Sequence, residues 1–238
     1  MKMFTLIICL LIIFGCSEEK RHGLNEDGLY YDLKNTDDNE RQERYNILKE
    51  NIENSKNQFL NKTNEETEKY IVTVLTDSVF HFWYDTPWDF NGITQKPGEG
   101  EIACGYFVTT TLLHSGFKLE RVKLAQQAAS IIIQTLCNKE TIKTFSNGNL
   151  KGLKNHLEKS KNGIYIIGLD NHVGFIHKND TSIVMIHADY INDKVSRERL
   201  SDCRAIINSK FHMIGNFSGN AEILNAWRKN EEIRMKQR

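Results

Sequence analysis

An α+β fold is predicted for this chain, with N-terminal helices packed on a small antiparallel sheet. Two patterns and one bound carry that reading. Apolar residues recur at 3- and 4-residue spacing as far as Tyr84, the period of a helix with one buried face. From Gly163 onward the apolar residues fall instead in short β-rich runs separated by polar turns. At 238 residues and 39% hydrophobic, the chain has material for one core of ordinary size, and its two prolines and 15 glycines argue against a long disordered tract or a collagen-like repeat. Lys and Arg number 31, as do Asp and Glu, so no excess positive charge supports a nucleic-acid footprint.

The elements follow in order. Met1 to Cys16 reads MKMFTLIICLLIIFGC, one lysine and then an apolar run too short to span a bilayer comfortably. Its end, Ile-Ile-Phe-Gly-Cys16, resembles a bacterial lipobox. That resemblance implies a signal peptide over 1–15, lipidation of Cys16 and a membrane tether through the lipid. An uncleaved anchor or an ordinary secreted protein are the alternatives. A polar tether is expected over 16–39, and one domain with a helical extension over 40–238. Cys16 is followed by Ser17 and not by Asp, from which the lipobox resemblance implies the outer membrane of a cell envelope, facing the periplasm or the surface.

Two helices are predicted between residues 37 and 84: one bears Tyr45, Leu48 and Ile52, the other starts near Thr63 and bears Ile71, Val74 and Val79. Residues 85–100 hold both prolines and read as a loop. Residues 104–114 form an apolar helix closed by Ser115-Gly116. Further helices are expected over 119–136 and 150–157. Strands are expected over 163–168, 172–177, 182–188 and 210–217, with a helix over 200–207 and a charged helix over 221–238.

Cysteine usage narrows the chemistry. With Cys9 in the signal and Cys16 lipidated, Cys104, Cys137 and Cys203 remain. Either Cys137 pairs with Cys203 and Cys104 stays free, or all three are buried apolar residues. There is no Cys-x-x-Cys and no His-Glu-x-x-His, so neither metal nor cofactor is expected.

Cys104 opens its helix, where the positive end of the helix dipole favours a thiolate, the form a cysteine nucleophile needs. His172 and His187 lie on two strands joined by residues 178–181. If His177 pairs with Ser182, then Phe175 pairs with Val184, and His172 falls directly opposite His187. One imidazole then fixes the tautomer of the other, a base and its orienter. His177 falls on the opposite face and His114 at the far end of the cysteine's helix, so neither joins them.

These residues carry a family resemblance. His172-Val-Gly-Phe-Ile followed by Met185-Ile-His187-Ala188 resembles the His-Val-Gly-Ile-Tyr … Ile-His-Ala block of the NlpC-type papain-like cysteine peptidases. Thr86-Pro-Trp-Asp-Phe-Asn-Gly92 is similar to their Thr-Pro-Tyr-x-x-Gly-Gly segment, and Phe107-Val108 stand where their Asp-Cys-Ser-Gly-Phe-Val motif ends. The resemblance covers roughly residues 84–190. It implies a papain-like fold, with Cys104 as nucleophile, His172 as general base and His187 as orienting residue. It further implies cleavage of an amide bond in peptidoglycan stem peptides. The chain departs from the pattern at Ala103-Cys104-Gly105-Tyr106, at Trp88 and at Asn91, and its insert between Cys104 and His172 is long. Those departures leave room for another peptide or amide substrate. They also leave a second reading, a surface lipoprotein that uses the fold for binding without catalysis. In a third, Asp189 orients the base, as in other papain-like or transglutaminase-like enzymes. Trp83, Trp88 and Phe90 either line a substrate groove or belong to the core.

Overall fold

The computed structural model describes residues 32–33 and 35–236. The expected signal peptide, the lipidation residue Cys16 and the tether as far as residue 31 lie outside the described residues. Among the described residues no helix is long and apolar enough to cross a membrane. The tether expected to reach Asn39 ends earlier: Leu33 is buried, its carbonyl accepts from Arg41 Nη2 at 3.0 Å, and Asp32 pairs with Arg44 at 2.7 Å.

Helix α1 spans Asp38–Phe59 and starts at Asp37, whose carboxylate accepts from the backbone N–H groups of Asn39 and Glu40. Its buried stripe is Tyr45, Leu48 and Ile52. Helix α2, Asn64–Val74, opens with a capping box between Thr63 and Glu66. A π-helical turn at Leu75–Val79 carries it into α3, Phe80–Trp83. Leu75, Val79, Phe80, Phe82 and Trp83 are all buried, so this wide turn runs through the core. Helix α4, Cys104–His114, follows the loop that holds both prolines.

The segment expected to be one helix over 119–136 is broken. Strand β1 is Lys118–Leu119, α5 is Arg121–Ala125 and α6 is Ala129–Leu136, with the turn at Gln126-Gln127-Ala128 between the two helices. Then come β2 (Lys143–Phe145), α7 (Leu150–Lys159), β3 (Gly163–Gly168), β4 (Val173–Lys178), β5 (Ile183–Asp189) and β6 (Lys194–Arg199). The helix expected over 200–207 contracts to α8, Arg204–Asn208, ahead of β7, His212–Asn216. The last expected helix also stops early. Helix α9, Ala221–Arg228, is closed by Asn230 in the left-handed region (φ 56°), and β8, Glu232–Ile233, pairs in parallel with β1.

The main sheet has six antiparallel strands in the order β2-β7-β3-β4-β5-β6. Its two edge strands carry Lys143 at one side and Lys194, Arg197, Glu198 and Arg199 at the other, a charged finish that discourages further pairing. Alternation divides the side chains into two cores. Phe107 and Val108 of α4 pack with Phe175, Ile186 and Ala188 on one face, while Leu153, Leu157, Ile176, Met185 and Ile206 pack on the other. The molecule is therefore an α+β protein, as its pattern predicts.

Candidate functional site

Cys104 is the first residue of α4 and is half-buried. Its N-cap, Ala103, has no side chain able to bond the first turn, so the leading N–H groups of the helix are left for another acceptor. The N–H groups of Val173, Gly105 and Cys104 itself face the sulfur. The loop ahead of α4 is held in place by backbone pairing: Ala103 donates to Gly92 and Ile102 to Pro87, while Trp88 donates to Asp193. Arg121 ties the same loop to the helix, donating to Ile93 O at 2.6 Å and Thr110 Oγ1 at 2.7 Å, with its guanidinium 4.9 Å from the Tyr106 ring. Gly105 is required by α5, because a Cβ there would lie 2.2 Å from the Ala125 carbonyl oxygen.

The two histidines meet, but not as directly opposed residues. The β4–β5 ladder pairs Phe175 with Ile186, His177 with Val184 and Lys178 with Ile183. Asn179 accounts for the shift of two residues from the expected register. Its carboxamide oxygen accepts from the N–H groups of Thr181 and Ser182, and its own N–H donates to Ser182 O, closing a tighter turn around Asp180-Thr181. A shift of two preserves the face. His187 therefore falls opposite Gly174, where an added Cβ would come within 2.8 Å of His187 Cβ. His172, just before β4, reaches it diagonally: His172 Nε2 lies 2.8 Å from His187 Nδ1.

Beyond His187 the contacts continue. Glu198 Oε2 on β6 lies 2.9 Å from His187 Nε2, and Cys203 Sγ is 3.8 Å from the same nitrogen. Asp189, the alternative orienter, is 4.0 Å from His187 Nε2 and is occupied by the N–H of Ile191 and the side chain of Asn192. The donor atoms of His187, Glu198 and Cys203 lie within 4.8 Å of one another, a mixed N, O and S set of the kind that binds zinc. The nitrogen–oxygen separation among them is already that of a hydrogen bond.

Burial sets the charge state of the pair. The Cys104 thiol is pushed up from its ordinary value by desolvation, against the opposing pull of the N–H groups that face it. Desolvation therefore works against the thiolate that the helix dipole favours. His172 is held well below the ordinary histidine value, by burial first and then by the neighbouring His187. Burial thus favours a neutral thiol and a neutral imidazole. By alternation His172 and His187 stand on the sheet face of Ile176 and Met185, whereas α4 packs on the other. Among the described residues no hydrogen bond joins Cys104 Sγ to an imidazole; Val173 N–H is the group that links the thiol to the His172 segment.

Other expected members fall elsewhere. Cys137 and Cys203 are unbonded and sit in different cores, so of the two alternatives the disulfide is not formed. His177 is buried on the α4 side of the sheet, and His114 Nδ1 lies 3.1 Å from the Tyr45 hydroxyl, a structural contact. Trp83 is fully buried and donates to Tyr45, so it is core and lines no groove. Trp88 is half-buried against Tyr190, whose ring also covers His172 at 5.2 Å; Phe90 is 80% exposed on the turn just before Gly92. An open cavity of about 650 Å³ lies elsewhere, between α7 and the β4–β5 turn, lined by Leu153, Lys178, Arg199 and Ile206. Glu198 is the residue that sequence reasoning missed. Compared with protein-family models, curated proteins and solved structures, the chain matches none.

Proposed function

We propose that the protein is a cysteine hydrolase with a papain-like, NlpC-type site, which cleaves an amide bond. The observation that supports this best is the pairing of His172 and His187 at 2.8 Å, one residue from Val173, whose N–H faces the Cys104 sulfur at an uncapped helix start. In this reading Cys104 Sγ attacks the amide carbonyl while its proton passes to His172 Nδ1, the ring nitrogen that His187 does not engage. A neutral starting pair makes this a general-base step, without a preformed ion pair. The developing oxyanion meets the N–H groups of Cys104 and Gly105. His172 returns the proton to the leaving amine, and water then hydrolyses the thioester with the same imidazole as base.

The motif resemblance favours peptidoglycan stem peptides as substrate, reached from a lipid anchor on Cys16 in the cell envelope. Trp88 and Tyr190 would form an aromatic wall beside the scissile bond. The test is to incubate the full chain with peptidoglycan stem peptides and follow release of a new amine by mass spectrometry. Release that is abolished in Cys104→Ala supports the proposal. A second reading is favoured by the neutral, half-buried thiol: a surface lipoprotein that binds without catalysis. Saturable binding of stem peptides without cleavage, unchanged in Cys104→Ala, would establish that reading instead.

A further inference from the structure

The mechanism above needs a bare lone pair on His172 Nδ1, yet an imidazole in isolation can place its proton on either nitrogen. The geometry beyond His187 decides between them. On β6, Ser196 stands opposite His187 and Glu198 opposite Met185, so Glu198 shares the face of His187 and reaches it on the diagonal. The three side chains form one oblique line across β4, β5 and β6: His172 Nε2 to His187 Nδ1 at 2.8 Å, then His187 Nε2 to Glu198 Oε2 at 2.9 Å. His187 is fully buried and Glu198 is 20% exposed, so the carboxylate closes the outer end of the line.

We infer that Glu198 is a positioning residue that sets the tautomer of both histidines and so selects Nδ1 of His172 as the base. With His187 neutral, each step follows from the one before it. The hydrogen bond from His187 holds the Glu198 carboxyl below its usual range, so it is ionised at neutral pH and can only accept. His187 must then carry its proton on Nε2, which leaves a lone pair on Nδ1. That lone pair can only be met by a donor, so His172 carries its proton on Nε2. His172 Nδ1 is left bare. It makes no hydrogen bond among the described residues, although the residue is buried. When His172 takes up a proton during attack, the Glu198 charge also stabilises the cation through His187.

The consequence for rate rests on the hydrolase reading, whereas the tautomer assignment does not. The experiment is nitrogen-15 NMR of the histidine rings in the full chain, wild type against Glu198→Met, with Glu198→Ala as a second variant in case either fails to fold. Glu198→Gln, which keeps an accepting oxygen, serves as the rescue. Wild type is expected to show the proton on Nε2 of both His172 and His187, and Glu198→Gln to keep it there. Glu198→Met is expected to shift both rings toward mixed or Nδ1-protonated forms. In parallel, acylation of Cys104 by an activated ester should slow about tenfold or more in Glu198→Met and recover in part in Glu198→Gln, short of the ~10²–10⁴-fold loss on removing the base itself. Unchanged tautomers in a folded Glu198→Met protein would overturn the inference and leave the hydrolase reading standing. Shifted tautomers in a protein whose Cys104 never acylates would sink the hydrolase reading and leave the Glu198 assignment in place.

Discussion

His187 stands opposite Gly174 and not opposite His172, yet its Nδ1 lies 2.8 Å from His172 Nε2. The glycine makes this diagonal contact possible. With no Cβ at position 174, the space over that residue is taken by the His187 side chain, whose Cβ would be 2.8 Å from any added methyl.

Gly174→Ala should therefore act on the imidazole pair more than on the backbone. The methyl must displace His187, also meeting Met185 Cε at 2.9 Å and Ile186 O at 3.1 Å. Overpacking of this kind costs about 1–3 kcal/mol. Urea unfolding should show that loss, and the histidine ring NMR signals should lose the contact. A variant with wild-type stability and an unchanged His172–His187 pair would mean that the strand accommodates the methyl elsewhere.

Thiol accessibility gives a simpler check. Cys137 and Cys203 are buried, their thiols pushed up by desolvation, that of Cys203 to about 12. Cys104 is half-buried at a helix start. A water-soluble maleimide applied to native protein should label Cys104 and spare the other two, as read by peptide mapping. Under denaturant all three should react. Native labelling of Cys203 ahead of Cys104 would show that the site opens from the opposite side of the sheet.

Acid should weaken the fold through its buried histidines. His172 is held well below the ordinary histidine value, and His114 is lowered to about 3 by burial and by the charges of Lys49 and Arg121. The unfolded chain binds these protons below a pH of about 6.5 while the folded protein does not. Stability is therefore complete above that pH and falls as the pH drops, by up to about 1.4 kcal/mol per unit for each proton. For His114 the fall continues to about pH 3. Urea midpoints measured from pH 7 to pH 4 should decline, and His114→Gln should flatten the slope. A midpoint that stays level across this range would contradict the burial argument.

A buried hydrogen-bonded trio supports α1 against the core. Trp83 Nε1 donates to the Tyr45 hydroxyl at 2.7 Å, and His114 Nδ1 lies 3.1 Å from the same oxygen. Tyr45→Phe leaves two buried polar atoms without that partner and should cost about 1–3 kcal/mol. Thermal unfolding reads this directly. A neutral effect would mean that water replaces the hydroxyl.

The chain's own patterns give the Cys104 helix and the shared face of the two histidines better than they give the frame. Cys104–His114 is bounded by Ala103 and by Ser115-Gly116 as its apolar run predicts, because a buried helix with a glycine stop writes both ends into the sequence. The face shared by His172 and His187 also follows from alternation alone, since an even slip in register preserves it. The register itself did not follow, because it turns on the Asn179 side chain closing a two-residue turn. Strand β6 escaped notice because only Val195 of its six residues is buried, so its charged sequence reads as surface. With β6 unseen, Glu198 had no place beside His187. The break at 126–128 and the early end of α9 were hidden for a related reason: β1 and β8 are two residues each and exist only through their pairing with one another.

The account rests on Cys104 as nucleophile and His172 as its base, and intact-mass kinetics of acylation test it most directly. Wild-type protein, Cys104→Ala and His172→Ala are mixed with an activated acyl ester at neutral pH, and the mass of the chain is followed with time. The account predicts one acyl group on wild type, mapped to Cys104, absent in Cys104→Ala, and slowed about 10²–10⁴-fold in His172→Ala. Acylation at other residues, or at Cys104 with a rate indifferent to His172, would contradict it.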